Sequence, residues 1–240
     1  GLVSVGTSGV IFAVTDRFVS LPERTLHAFC HALPGRWHAM AVMLSAASAL
    51  SWIAAILGRQ DDIAGLVRAA AAFAGAPDNV AHAPLFLPYL SGERTPHNDP
   101  AASGAFIGLR AEHGAEALVY AVMEGVAFAF ADGLDVVEAA GARPKSTLIV
   151  GGGARSPFWA QLIADATGLT IDLPAGAEAG AAVGAARLAM LAAGAGEEAT
   201  ICRTPAVEQR FAPGAERAVL LAPRLKRFGA LYRAERATRT

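Results

Sequence analysis

The chain has little cysteine, little charge and no excess of either sign. Its two cysteines, Cys30 and Cys202, lie far apart without CxxC spacing. That excludes a disulfide framework and a zinc ribbon, and makes a reducing cytoplasm the expected compartment. Charged residues are 17% of 240, and the formal net charge is -1 with both signs intermixed. Such a balance lacks the footprint of a nucleic-acid binder and the polybasic patch of a membrane-surface protein, so small molecules or protein are the expected partners. The first residues form neither a charged n-region nor an initiating methionine, and the chain is expected to begin inside a longer protein. Internal repeats and low-complexity linkers are also lacking. Apolar residues are abundant at 54%, enough for a substantial core.

Charge is missing locally as well: residues 39–57 carry none, and the run is just long enough to cross a bilayer. Its Ala and Ser content, with Ser45, Ser48 and Ser51 on one stripe, instead predicts a central helix packed on all sides. Around it, strands and helices alternate. Residues 2–5 and 10–14 read as a hairpin, 61–74 as a helix, and 85–90 and 105–109 as strands about a polar loop. Residues 115–140 read as a long helix, with Leu118, Val122, Val126, Phe130 and Leu134 on its apolar face and Glu124, Asp132 and Asp135 on its wetter side. The strand at 147–150, helix at 156–167, strand at 170–173 and helix at 177–193 make an α/β ending, with Gly168 as a helix C-cap. A surface tail then leads to a last helix at 223–236.

Two glycine-bounded turns, Gly6-Thr7-Ser8-Gly9 and Gly151-Gly152-Gly153-Ala154-Arg155-Ser156, each follow a strand-like run. Glycines let backbone approach phosphate or ribose closely, and hydroxyls beside N–H groups can donate to phosphate oxygens. The second turn, with Asp172 at the end of the next strand, is also close to a dinucleotide fingerprint. On spacing alone, dinucleotide binding and a purely structural turn both stay open. No Gly-Lys-Ser/Thr follows, so it is not a P-loop.

Five segments carry a resemblance: SVGTSGVIFAV at 4–14, HAFCHALPGRWHAMAVMLSAASALSW at 27–52, FLPYLSGERTPHNDP at 86–100, GAFIGLRAEHG at 104–114 and LIVGGGARSPFWAQLIAD at 148–165. Together they resemble the carboxy-terminal half of the FGGY family of carbohydrate kinases. The resemblance implies an α/β fold of the actin-like ATPase, ribonuclease-H-like class, a mixed sheet flanked by helices. It further implies a nucleotide-binding domain over 1–195, with a tail and helix over 196–240 packed on it and an amino-terminal sugar-binding domain absent. ATP with Mg²⁺ is the implied cofactor. Gly6, Thr7, Ser8 and Gly9 are implied to lie at the phosphates, Gly152, Gly153 and Ser156 at the adenosine, and Ala47 and Ser51 beside the adenine. Where relatives often place Asn, this chain has the shorter Ser156. D-xylulose is the implied acceptor, with ribulose or glycerol as alternatives, and a homodimer of the full-length protein is allowed.

In that family the general base is an aspartate upstream of the first turn, so no catalytic residue and no metal ligand is expected in this chain. Asp16, Asp99 and Asp132 read instead as a hairpin-loop residue, a turn residue before proline and a solvated helix residue. His27, Cys30 and His31 lack a fourth metal ligand at recognisable spacing. Glu93 and Arg94 are expected to face the cleft or the missing domain, or to pair with each other. Glu178 reads as a first-turn acid whose helix should lie near the adenosine. Trp37, Trp52 and Trp159 are expected in the core, with Trp52 the best candidate of the three to approach a base.

Overall fold

Period-two alternation puts Val3 and Val5 of β1 (Leu2–Val5) and Ile11 and Ala13 of β2 (Gly9–Thr15) on one buried face. The computed structural model, which describes residues 1–239, joins these strands as an antiparallel hairpin with Val5 opposite Gly9. Two further strands, β3 (His27–Cys30) and β4 (Trp37–Met43), extend the sheet antiparallel. The chain then forms α1 (Ala47–Ile56), α2 (Ile63–Phe73) and α3 (Pro77–His82). A separate two-stranded sheet, β5 (Leu85–Leu87) with β6 (Ala105–Ile107), precedes the long α4 (Ala115–Ala139). The last third contributes β7 (Thr147–Val150), α5 (Pro157–Thr167), β8 (Ile171–Pro174), α6 (Gly180–Ala192), α7 (Glu198–Ile201), β9 (Val207–Phe211) and α8 (Ala215–Thr238).

The main sheet has the order β3-β4-β2-β1-β7-β8-β9. Its β1–β7 and β7–β8 pairs are parallel and the remainder antiparallel, so the sheet is mixed, with β9 as one edge. Helix α4 packs on its buried face and is itself enclosed by α1, α2 and α5. It is long and apolar enough to cross a membrane, yet 83% of its most apolar window is buried within the fold. Trp159 of α5 locks to it by donating from Nε1 to the Met123 carbonyl at 3.0 Å.

Three expectations change. The charge-free run at 39–57 divides into β4 and α1, because residues 37–43 pair with β2 and 37–40 also with β3, and tertiary pairing overrides the weak strand preference of alanine. Ser45 therefore lies before the helix, buried. On α4, Glu124 is fully buried instead of on a wet side, and Asp132 is half-buried. The last helix begins at Ala215 and carries Pro223 inside it. Its early turns are held by buried Leu221 and by Arg217, which donates twice to the Ala74 carbonyl at 3.1 Å.

Candidate functional site

The two glycine turns meet. Gly151, with φ +92°, places its Cα where a side chain would lie 2.8 Å from the Val5 carbonyl carbon and 3.1 Å from the Gly6 nitrogen. A β-carbon on Gly153 would collide with the Val5 side chain, and one on Gly9 would come within 2.9 Å of Phe130 Cζ. Gly9 and Gly153, expected as ligand contacts, are thus buried glycines required by packing. Gly152 differs: it is exposed, and nothing lies within 4 Å of a β-carbon there. Its small size is not needed by the fold.

The first turn also builds the start of α1. Ala46 and Ser48 donate backbone N–H bonds to the Thr7 carbonyl at 2.9 and 3.3 Å, and Ala47 donates to Gly6 at 2.8 Å. Ser48 Oγ adds a 2.8 Å bond to the Thr7 carbonyl. Helix α1 has no side-chain cap, so this turn satisfies its first-turn donors. Thr7 and Ser8 stand exposed at the tip.

Between α1, α2 and the second turn runs a groove of about 610 Å³. Ala47 and Ser51 line it from α1, Gly152, Gly153 and Ser156 from the turn, and Ile63 and Val67 from α2. Ser156 Oγ accepts from Trp159 N–H at 3.1 Å, capping α5, while its hydroxyl proton remains available to donate. The expected residues 47, 51, 152, 153 and 156 therefore share one wall-and-floor arrangement, with 6–9 joined to it through α1. Sequence reasoning missed the α2 wall and the two cations, Arg68 and Arg155, at the groove. The stripe of Ile63, Val67 and Ala71 at i, i+4 spacing was its available signal.

Other candidates fall elsewhere. Trp52 turns away from the groove and stacks on Phe86 and Phe106, with centroids at 5.6 and 6.3 Å. Asp172 accepts both Arg210 bonds, at 2.7 and 2.9 Å, which hold its carboxyl below the usual range and tie it to β9. Asp99 receives Arg239 and the Tyr232 hydroxyl. Glu178 lines a separate small cleft with Gly151 and Glu208. Among the described residues, no three His, Cys, Asp or Glu side chains gather as a metal cluster.

Behind the first turn lies a buried acidic group. Glu93 is 2% exposed, and burial pushes its carboxyl up to about 7. Its Oε1 accepts from the Leu44 and Arg94 N–H groups, whereas Oε2 is buried without a partner. Arg94 reaches it only through backbone, so the two side chains do not pair. Asp132 is pushed up to about 6 by burial and by neighbouring Asp135.

A mixed sheet flanked by helices, with a glycine-lined groove at the ends of β1 and β7, defines the actin-like, ribonuclease-H-like class of domain. The chain belongs to the FGGY family of carbohydrate kinases, whose C-terminal domain model matches residues 1–193. It is 49% identical over 233 residues to a xylulose kinase of Escherichia coli (strain K12), covering 96% of this chain and 47% of that protein. A xylulose kinase of Klebsiella pneumoniae is 45% identical over 232 residues, again 96% of this chain and 47% of the relative. A crystal structure of a kinase from Brucella ovis, titled a "xyloylose kinase", superposes with TM-score 0.90 at 43% identity, covering 99% of this chain and 48% of that one. The chain thus spans about half the length of the curated relatives it matches.

Proposed function

We propose that this chain is the ATP-binding half of a cytoplasmic sugar kinase that transfers the γ-phosphoryl group of ATP to O5 of D-xylulose, giving D-xylulose 5-phosphate and ADP. The observation that carries the reading is the direct contact of two glycine turns at one groove. The groove's apolar α1 and α2 walls suit a flat base, open Gly152 admits the ribose, and exposed Thr7 and Ser8 hydroxyls suit phosphate oxygens. Arg68 and Arg155 add positive charge. Similarity to the xylulose kinases of Escherichia coli and Klebsiella pneumoniae supports the choice of acceptor over ribulose or glycerol.

Phosphoryl transfer needs an in-line geometry, neutralised phosphate charge and a carboxylate to take the hydroxyl proton. These residues contribute the first, by orienting the nucleotide. Magnesium in this reading would enter with the nucleotide, held on its phosphates, and would supply charge neutralisation there. In this reading residues 1–195 form the nucleotide-binding domain with 196–240 packed on it. The sugar pocket and base lie outside this sequence, the chain alone is inactive, and a homodimer of the longer protein is compatible.

Calorimetric titration with Mg·ADP, and with NAD under the same conditions, tests the proposal. ADP should bind and NAD should not. Thr7→Val and Gly152→Val should weaken ADP, and the space around residue 152 ensures that the second variant still folds. Binding of NAD in place of ADP would overturn the kinase reading, and binding of neither would remove the groove as a nucleotide site in this chain.

A further inference from the structure

The segment Phe86 to Pro100 carries the most distinctive sequence of the chain, yet none of its side chains lines the groove. Its placement explains it. The loop pairs with the end of β4: Thr95 N–H donates to the Val42 carbonyl at 3.0 Å, and Val42 N–H donates back to Thr95 Oγ1 at 3.1 Å. One step further on, Glu93 Oε1 accepts the Leu44 N–H at 2.9 Å. Leu44 is the first residue of the three-residue link between β4 and α1. On the other side of the same residue, its carbonyl accepts Ser8 Oγ from the phosphate-facing turn at 3.3 Å.

We infer that Glu93 is a positioning residue for the 6–9 turn, acting through Leu44 to fix where Ser8 and the start of α1 stand relative to the nucleotide's phosphates. The inference rests on the nucleotide reading of the groove and deepens it. A connecting residue exposed to solvent could drift; this one is held from behind by a carboxyl that is almost wholly buried. That carboxyl is itself fixed. Its Oε1 also accepts the Arg94 N–H at 2.7 Å, and the Glu93 backbone exchanges two bonds with Asp99, at 2.9 and 2.8 Å. Asp99 in turn is clamped by Tyr232 and Arg239 of the C-terminal segment. Thus the loop transmits the rigidity of α8 to a turn that α8 does not touch.

The test compares adenosine with ADP, because a misplaced phosphate turn affects only the ligand that has phosphates. Glu93→Ala should raise the Kd for ADP about tenfold, the scale of one lost hydrogen bond, and leave that for adenosine within about twofold. Glu93→Gln keeps an acceptor at the Oε1 position and should restore ADP binding to within about threefold of wild type. In the ligand-free chain, amide hydrogen exchange at 44–48 should quicken in Glu93→Ala and not in Glu93→Gln. Should the alanine variant fail to fold, Glu93→Asp, one methylene too short to reach Leu44, carries the same expectations. Equal losses for adenosine and ADP, or unchanged exchange at 44–48 in a folded variant, would overturn the inference. If wild type binds neither ligand, the nucleotide reading falls, and the exchange comparison still decides whether Glu93 positions the turn.

Discussion

Arg224→Met should destabilise this chain more than any surface change. Arg224 and Glu124 are 3% and 0% exposed, and they join α8 to α4 through two bonds of 2.7 and 2.6 Å. Arg224 also donates to the Ala83 and Pro84 carbonyls at 3.1 and 3.2 Å, and the Tyr120 hydroxyl donates to Glu124 at 2.9 Å. A buried pair adds little net stability against apolar residues, because desolvation offsets the attraction, but removing one partner strands the other. Methionine would leave a carboxylate enclosed in the core with Tyr120 as its only donor. The expected cost is about 3–5 kcal/mol, or a fall of roughly 6–20 °C in Tm for a chain of this length.

The sign of the pH dependence follows from the same geometry. Burial already raises the Glu124 carboxyl, and Arg224 opposes that rise. Without the arginine the folded-state pKa climbs further above its unfolded value. The variant's deficit should therefore be largest at about pH 8 and shrink toward pH 5, where the carboxyl can fold protonated. Urea unfolding followed by tryptophan fluorescence measures it. Glu124→Leu/Arg224→Met, which removes both charges, should recover most of the loss. A single variant within about 1 kcal/mol of wild type, or a double variant no better than the single, would refute the reasoning.

Two other outcomes follow from packing and charge. Gly153→Ala and Gly9→Ala should each cost about 1–3 kcal/mol by overlap with Val5 and Phe130, whereas Gly152→Ala should stay within about 0.5 kcal/mol, as read by urea midpoints. The Glu93 carboxyl is raised from 4.5 to about 7, so its contribution is fully present below the unfolded value and is lost as pH rises through about 7. Half-buried Asp132, at about 6, acts in the same direction. His27, His31, His38 and His97, lowered by burial, act the other way but equally in both proteins, so from about pH 5 to 8 the thermal midpoint of wild type should fall relative to that of Glu93→Gln, which stays neutral throughout; parallel profiles would sink this reading.

Much of this fold was readable because local pattern and tertiary context agree. The hairpin at β1–β2, the helix at α4 and the strand–turn–helix from β7 to α5 combine clean periodicity with glycine or proline at the boundaries, and Gly168 caps α5 with φ +68° as expected. The failures fall where partners distant in sequence decide. Ala39 and Ala41 have no strand preference of their own and become strand because β2 pairs with both and β3 with Ala39 as well. Glu124 looks like a solvent-facing acid until Arg224, 100 residues later, reaches it. Strand β9 is five residues, four of them exposed, and exists only as an edge added to β8.

The groove shows the same division. Glycine turns advertise themselves in sequence, but why each glycine is there does not. Gly9 and Gly153 are forced by neighbours at the core, whereas Gly152 is crowded by nothing and its small size is left for a ligand. A contact list drawn from the motif alone mixes the two kinds. The α2 wall was hidden for the opposite reason: Ile63, Val67 and Ala71 form an ordinary apolar stripe, and nothing local says that part of it faces a cleft and not the core. Glu93 was the hardest to place, since its role depends on one backbone N–H presented by a turn 49 residues away. Side chains that act on backbone leave no complementary residue to find, so such a link becomes visible only when the sheet brings the end of β4 against the loop.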